Sequence, residues 1–449
     1  MIRLFSILFF LQSFYCLSQT DQRVYDIINS VSAARIEKDV RILANFGTRN
    51  TFSDTISETR GIGAARRWIK SEFESISKDC KNCLDVSYEK DLVTKAENDK
   101  IPHDALIVNV LAIQKGTKYP NRYIIMSGDI DSRNSDNMDF KGDAPGANDN
   151  ASGMAGTIEA ARVLSKYKFE NSIIYLGLSG EEQGLYGGKG VAEFAKQHNW
   201  EIIGVINNDM IGNIDGVDGV TDNRTFRIFS EPSSPTETDQ ERSKKRFYGG
   251  ESDGVSRQLA RYIHRMTLAY MPEMNPMLVF RLDRFGRGGH HRPFTDLGYA
   301  GVRLMETHEN YNRQHQNLRT ENGIDYGDFI SGVNFSYAAK LTAVNAISLA
   351  GLAWAPPAPA KVLIGGIVEA NTKLKWEKSK GDVAGYKIYW RLTTAPQWEF
   401  SRMVGDVDNF ELTGIVIDNY YFGVAAVGKN GHESKVAFTT DIIRKTENK

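Results

Sequence analysis

Ala144-Pro-Gly-Ala-Asn-Asp-Asn-Ala-Ser-Gly153 is a glycine-rich loop with an acid, Asp149, at its centre. Around it stand three apolar runs, each ending in acid. Tyr123-Ile-Ile-Met-Ser-Gly128 breaks into Asp129-Ile-Asp131-Ser132. Ile173-Ile-Tyr-Leu-Gly-Leu178 breaks into Ser-Gly-Glu181-Glu182-Gln-Gly, and Gly204-Val-Ile-Asn-Asn208 into Asp209-Met-Ile-Gly212. Short continuous apolar runs mark strands buried on both faces. Between them the spacing turns helical: Ile158, Ala161 and Leu164 share a face within 153–167, and 190–198 reads as a second helix. Strands alternating with helices give an α/β fold, with a mainly parallel central sheet and helices on both faces. Ligands of such sheets bind beyond the carboxyl ends of the strands, where these acids stand. Five or six carboxylates on one edge repel one another unless cations lie between them.

Outward from this centre, 449 residues exceed one ordinary domain. Residues 22–45 and 61–76 read as helices, 86–93 and 105–113 as strands. The stretch 213–250 is polar and charged with little periodicity, and reads as an insertion or surface loop. A helix at 256–270, a strand at 300–305 and a long helix at 326–352 complete the first unit, 19–354. A proline-rich linker, 355–359, follows. From 360 to 445 the rhythm becomes short alternating strands, which suits an all-β sandwich. The spacing of Trp376, Tyr386 and Tyr421 resembles a fibronectin type III module. Such a module suggests spacing or docking, on polysaccharide or protein.

One cationic residue, Arg3, precedes a nearly unbroken apolar run from Leu4 to Leu17, so residues 1–18 read as a secretory signal peptide. The mature protein is then secreted or periplasmic, and no other run is long enough to span a bilayer. Cys80 and Cys83 remain after cleavage, and in an exported chain they read as a local disulfide. The net charge of −1 gives no electrostatic case for nucleic acid or an anionic membrane.

Carboxylates alone suit magnesium, calcium or manganese, whereas histidine moves a site towards zinc. The candidate histidines are His290, His291, His308 and His315. Residues 127–315 resemble the exported co-catalytic di-zinc aminopeptidases of the bacterial leucyl aminopeptidase type. Their pattern is His-x-Asp-Ser, then Pro-Gly-Ala-x-Asp-Asx-x-x-Ser-Gly, Glu-Glu-x-Gly-Leu-x-Gly, Asn-x-Asp-Met-x-Gly and a late His. The resemblance implies a zinc exopeptidase-like fold, two divalent metal ions and a peptide substrate cleaved at its amino terminus. Asp149 would bridge the metals, Glu182 and His315 would complete one, and Asp129 and Asp209 would hold the other. Glu181 would be the general base, and Asp131 would orient a ligand.

Two positions depart from that pattern. Asp129 stands where the relatives have the first histidine, and Gly289-His290-His291-Arg-Pro-Phe294 stands where they have Gly-Asp-His. With Asp129, Asp149 and Asp209 one metal would have an all-oxygen shell, favouring manganese, magnesium or calcium over zinc there. The competing readings are a related glutaminyl cyclase or other exopeptidase, and a degenerate, non-catalytic binding protein.

Overall fold

A computed structural model of the chain describes residues 20–444. The signal-peptide segment and the last residue of the C-terminal module fall outside them. The first unit is built on an eight-stranded mixed sheet in the order β1-β2-β4-β3-β5-β8-β6-β7. In chain order these are β1 (Leu84–Val93), β2 (Ala105–Gln114), β3 (Tyr119–Asp129), β4 (Asn171–Leu178), β5 (Glu201–Asn208), β6 (Thr225–Phe229), β7 (Asn275–Val279) and β8 (Gly301–Glu306). The central strands β4, β3, β5 and β8 run parallel.

The apolar runs are continuous because both faces are covered. In β3, Ile124 and Met126 enter one core, shared with Ile173 and Tyr175 of β4. Tyr123 and Ile125 enter the other, with Ile174 and Leu176. The larger core is closed by α1 (Gln22–Ser30), α2 (Ala33–Ala44), α3 (Gly61–Asp79), α4 (Gly153–Leu164), α8 (Val255–Tyr270) and α10 (Phe335–Trp354). The opposite face is closed by α6 (Tyr186–Gln197) and α9 (His291–Asp296). A disulfide joins Cys80 and Cys83 just after α3.

Three expectations are corrected. The stretch 213–250 is not a surface loop: it carries β6, inside the central sheet, and α7 (Asp239–Tyr248). Phe226, Ile228 and Phe229 are buried there, but five residues flanked by charge show too short a period to stand out. The helix read over 22–45 is broken at Val31 and Ser32, where Ser32 accepts from the backbone of Arg35 and caps α2. The helix read from 326 begins only at Phe335, capped by Asn334. The residues before it form a small hairpin, β9 (Arg319–Glu321) with β10 (Ile324–Tyr326), and a loop carrying Asp328.

After α10 ends at Trp354, a sandwich forms from β11 (Ala360–Gly365), β12 (Thr372–Glu377), β13 (Val383–Leu392), β14 (Phe400–Val404), β15 (Asn409–Leu412), β16 (Tyr420–Gly428), β17 (Ala437–Phe438) and β18 (Asp441–Ile442). Its two four-stranded sheets, β15-β12-β11-β18 and β14-β13-β16-β17, enclose Trp376, Tyr386, Ile388, Phe422 and Val424. Tyr421 lies on the outer side, against Phe438. The sandwich is docked on the first unit. Asp253 takes Arg261 of α8 at 2.5 Å and Arg391 of β13 at 2.7 Å, and all three side chains are buried. Lys435 donates to the carbonyl of Ile203, near the start of β5.

Candidate functional site

The site lies where β3, β4, β5 and β8 end. The glycine-rich loop enters it through Gly146, whose φ of 52° is the left-handed region glycine tolerates best. A Cβ there would stand 2.4 Å from Ser132 Cβ. The peptide bond between Asp149 and Asn150 is cis. The loop is held from behind by groups from remote segments of the chain. Arg49, 1% exposed, donates to the carbonyls of Leu43, Ile130, Pro145 and Gly146. Asp328 accepts the backbone N–H of Asn148 at 2.9 Å and of Asp149 at 2.6 Å. Glu306, at the end of β8, accepts Asn148 Nδ2 at 3.0 Å and the N–H groups of Gly212 and Asn213.

Asp149, Glu182 and His315 come together. His315 Nε2 is 2.9 Å from Asp149 Oδ2 and 3.1 Å from Glu182 Oε1, and the three ligand atoms lie within 4.8 Å of one another. Burial alone would raise the carboxyl of Asp149. The hydrogen bond and charge of His315, helped by Gln314, instead hold it below the usual range. Burial opposes charge on His315, but Glu182 and Asp149 push it up to about 10. The imidazolium thus sits where a cation would satisfy the same two carboxylates, so these donors fit a divalent metal.

Glu181 and Glu182 open α5 (Glu181–Gly184), directly after β4. Glu181 is half-buried on the wall of an open cavity of about 610 Å³. Desolvation, then Glu182, Asp209, Asp129 and Asp131, push its carboxyl well above the ordinary range. Asp131 is buried. Its Oδ2 accepts the backbone N–H of Glu182 and the Thr51 hydroxyl, both at 3.1 Å, and so holds the turn that presents Glu182. Asp209 is pushed up to about 8 by burial, against Arg303, which meets its Oδ2 at 2.8 Å. The mouth of the cavity is basic, with Lys100, Arg133, Lys189, Arg287 and Arg292 around the acids.

Asp129 does not join Asp149, Glu182 and His315. Its Oδ1 meets His290 Nδ1 at 2.5 Å and its Oδ2 accepts Asn150 Nδ2 at 2.7 Å. The two positions that exchange acid and imidazole relative to the resembled pattern are therefore in contact. His291 is turned to the carbonyl of Leu282, at 2.8 Å, and His308 to Asp218, at 2.7 Å. Neither joins the acids.

An open α/β sheet with acids and an imidazole gathered at its strand ends fits a metal-dependent hydrolase, and the relatives narrow the class. Residues 109–331 match the model of peptidase family M28. A probable zinc metalloprotease of Pyrenophora tritici-repentis is 37% identical over 418 residues, covering 92% of this chain and 96% of the relative. One from Pyricularia oryzae is 39% identical over 415 residues, covering 91% and 82%. The chain belongs to peptidase family M28. Among solved structures, LapA of Legionella pneumophila superposes with a TM-score of 0.53 at 17% identity, over 75% of this chain and 77% of that one. LapB of the same organism gives 0.52 at 17%, over 74% and 75%. At such identity the likeness is one of fold.

Proposed function

We propose that the chain is an exported zinc aminopeptidase that removes amino-terminal residues from peptides, with Glu181 as general base. The observation that carries this reading is the convergence of Asp149, Glu182 and His315 on one point, on the cavity whose wall holds the raised carboxyl of Glu181. Two carboxylates and an imidazole suit zinc, the metal named for the fungal relatives. Zinc held there would acidify a water and polarise the scissile carbonyl. Glu181, the neighbour of the ligand Glu182, takes the proton of the attacking water and returns it to the leaving amine. Its burial among other acids raises its proton affinity towards what that transfer needs. Asp131 acts through position, fixing the backbone of Glu182.

Dialysis against a chelator should abolish hydrolysis of aminoacyl substrates, and added zinc should restore it. Glu181→Gln should keep its zinc while kcat falls by about 10²–10⁴-fold. A zinc-loaded chain that turns over no amino-terminal substrate would overturn the aminopeptidase reading, and an unchanged kcat in the variant would overturn the base.

A further inference from the structure

We propose that a groove beside the catalytic cavity is a second peptide subsite, which holds acidic and apolar residues of the substrate beyond those at the metal. This rests on the aminopeptidase reading and extends it to the rest of the peptide. The groove lies between α3, the edge pair β1 and β2, and the loop 48–60, and measures about 1070 Å³. Much of its lining is apolar. Phe52 and Phe140 flank His103, with ring centroids 5.7 Å and 6.4 Å away. Leu106 and Ile56 stand 53% and 86% exposed on its wall. Large apolar side chains left in water around one depression mark a binding surface.

The charge around it is one-sided. Arg60, Arg66, Arg67, Lys90 and Lys141 line the groove, against a single acid, Asp54, among the described residues. Asp54 is spent on its own loop, where it accepts the N–H groups of Ile56 at 2.7 Å and Ser57 at 2.9 Å. Arg60 is paired with Asp143 at 2.6 Å. Arg67 donates to the carbonyls of Thr55, Ile56 and Ser57, which bring no charge to offset its own. Lys90 and Lys141 are exposed, and no ion pair holds either among the described residues. Arg66 is 5% exposed. Its Nε donates to Ser179 Oγ at 3.2 Å, and its Nη2 has no partner among the described residues. Asp131 is the acid whose field bears on it, but no ion pair joins them. A buried charged donor left unpaired is costly, and an anion is what this lining lacks.

Two segments wall both the groove and the catalytic cavity. The turn 98–103 gives Lys100 to the cavity and His103 to the groove. The loop 133–141 gives Arg133 to the cavity and Phe140 and Lys141 to the groove. Thr51, on the groove, donates to Asp131 Oδ2, which also accepts the backbone N–H of Glu182. The three residues from Lys100 to His103 span at most roughly 10 Å. An extended peptide with its amino terminus at the metal therefore reaches the groove beyond about its fourth residue. A contact made there is intramolecular, so it strengthens a grip already taken at the terminus. Glutamate or aspartate interspersed with leucine or phenylalanine matches the lining, carboxylates to the cations and apolar side chains to the wall.

The test uses the full zinc-loaded chain and a decapeptide whose second half alternates glutamate with leucine. Its amino-acetylated form, which offers no free terminus, is the binding probe. Wild type should bind it more tightly than a version with lysine for glutamate, and salt should weaken that binding. Lys90→Glu with Lys141→Glu should weaken it about tenfold. The same double variant should lower kcat/KM for the unblocked decapeptide by a similar factor, while small aminoacyl substrates turn over as in wild type. Leu106→Ser, also at an exposed position, should act in the same direction. Equal binding of the two peptides by wild type, or wild-type binding by the double variant, would overturn the proposal. So would weakened binding with an unchanged kcat/KM for the decapeptide, since the groove would then serve a separate chain. A chain that hydrolyses aminoacyl substrates but does not bind the probe overturns the groove alone. One that hydrolyses none of them overturns the aminopeptidase reading, whether or not the probe binds.

Discussion

At the scale of single residues, the burial of Glu181 has a kinetic consequence. A general base works ionised, and this carboxyl binds its proton more tightly than an exposed one because desolvation and four neighbouring acids disfavour its charge. Activity should therefore be low in acid and rise as pH climbs through the raised pKa. A profile of kcat/KM against pH should show an acid limb above the ordinary glutamate value of about 4.3. A limb at or below that value would remove Glu181 from the role. The acids of the site could be read directly, because all but Asp149, at the centre of the glycine-rich loop, follow an apolar strand and strand ends meet at one edge. Asp328 and Arg49 could not. They act from remote segments by hydrogen bonds to backbone, and nothing in their local sequence announces that. The trade between Asp129 and His290 could be seen as two odd letters, but only the fold brings them to 2.5 Å.

At the scale of elements, the site depends on how closely β3 and α4 approach. A Cβ on Gly128 would stand 2.6 Å from backbone atoms of Gly153 and Met154, and one on Gly153 would stand 2.3 Å from the carbonyl of Asn208. These contacts are with backbone, which cannot step aside as a side chain can. Gly128→Ala should cost about 1–3 kcal/mol of stability, read from denaturant unfolding, and should weaken zinc binding as the loop shifts. Wild-type values for both would mean that the approach has slack. The basic mouth is assembled from separate segments too: Lys100 precedes β2, Lys189 sits in α6, and Arg287 and Arg292 lie either side of His290. Peptides with acidic residues near the amino terminus should be cleaved with higher kcat/KM than lysine-bearing analogues, and the ratio should shrink as salt screens the field. A ratio indifferent to salt would take these cations out of substrate contact. The alternation of strands and helices was readable because long buried runs dominate their windows. β6 was not, since its burial comes from lying between β8 and β7 rather than from its own five residues.

At the scale of the whole molecule, the two units are joined by buried charge. Asp253 holds Arg261 and Arg391 across the boundary, and removing one member strands the others without compensation. Asp253→Ala should cost about 3–5 kcal/mol and should expose the linker at 355–359 to limited proteolysis. A variant as stable and as protease-resistant as wild type would show that the boundary does not rest on this cluster. The change of rhythm after the linker made the sandwich readable. Its docking was not, because Arg391 lies far in sequence from Asp253 and Arg261, and all three resemble ordinary surface charge.

The site of that docking sets a direction. Lys435 meets the carbonyl of Ile203 near the start of β5, whereas Asp209 follows the end of the same strand, roughly 20 Å further along at strand rise. No described residue of the sandwich lines the cavity. The molecule is therefore polar in the way an arrow is. Its β-sandwich forms the tail and the acid-lined opening the head, with a shaft of parallel strands between. Peptide chains therefore reach the opening from the end of the sheet opposite the sandwich.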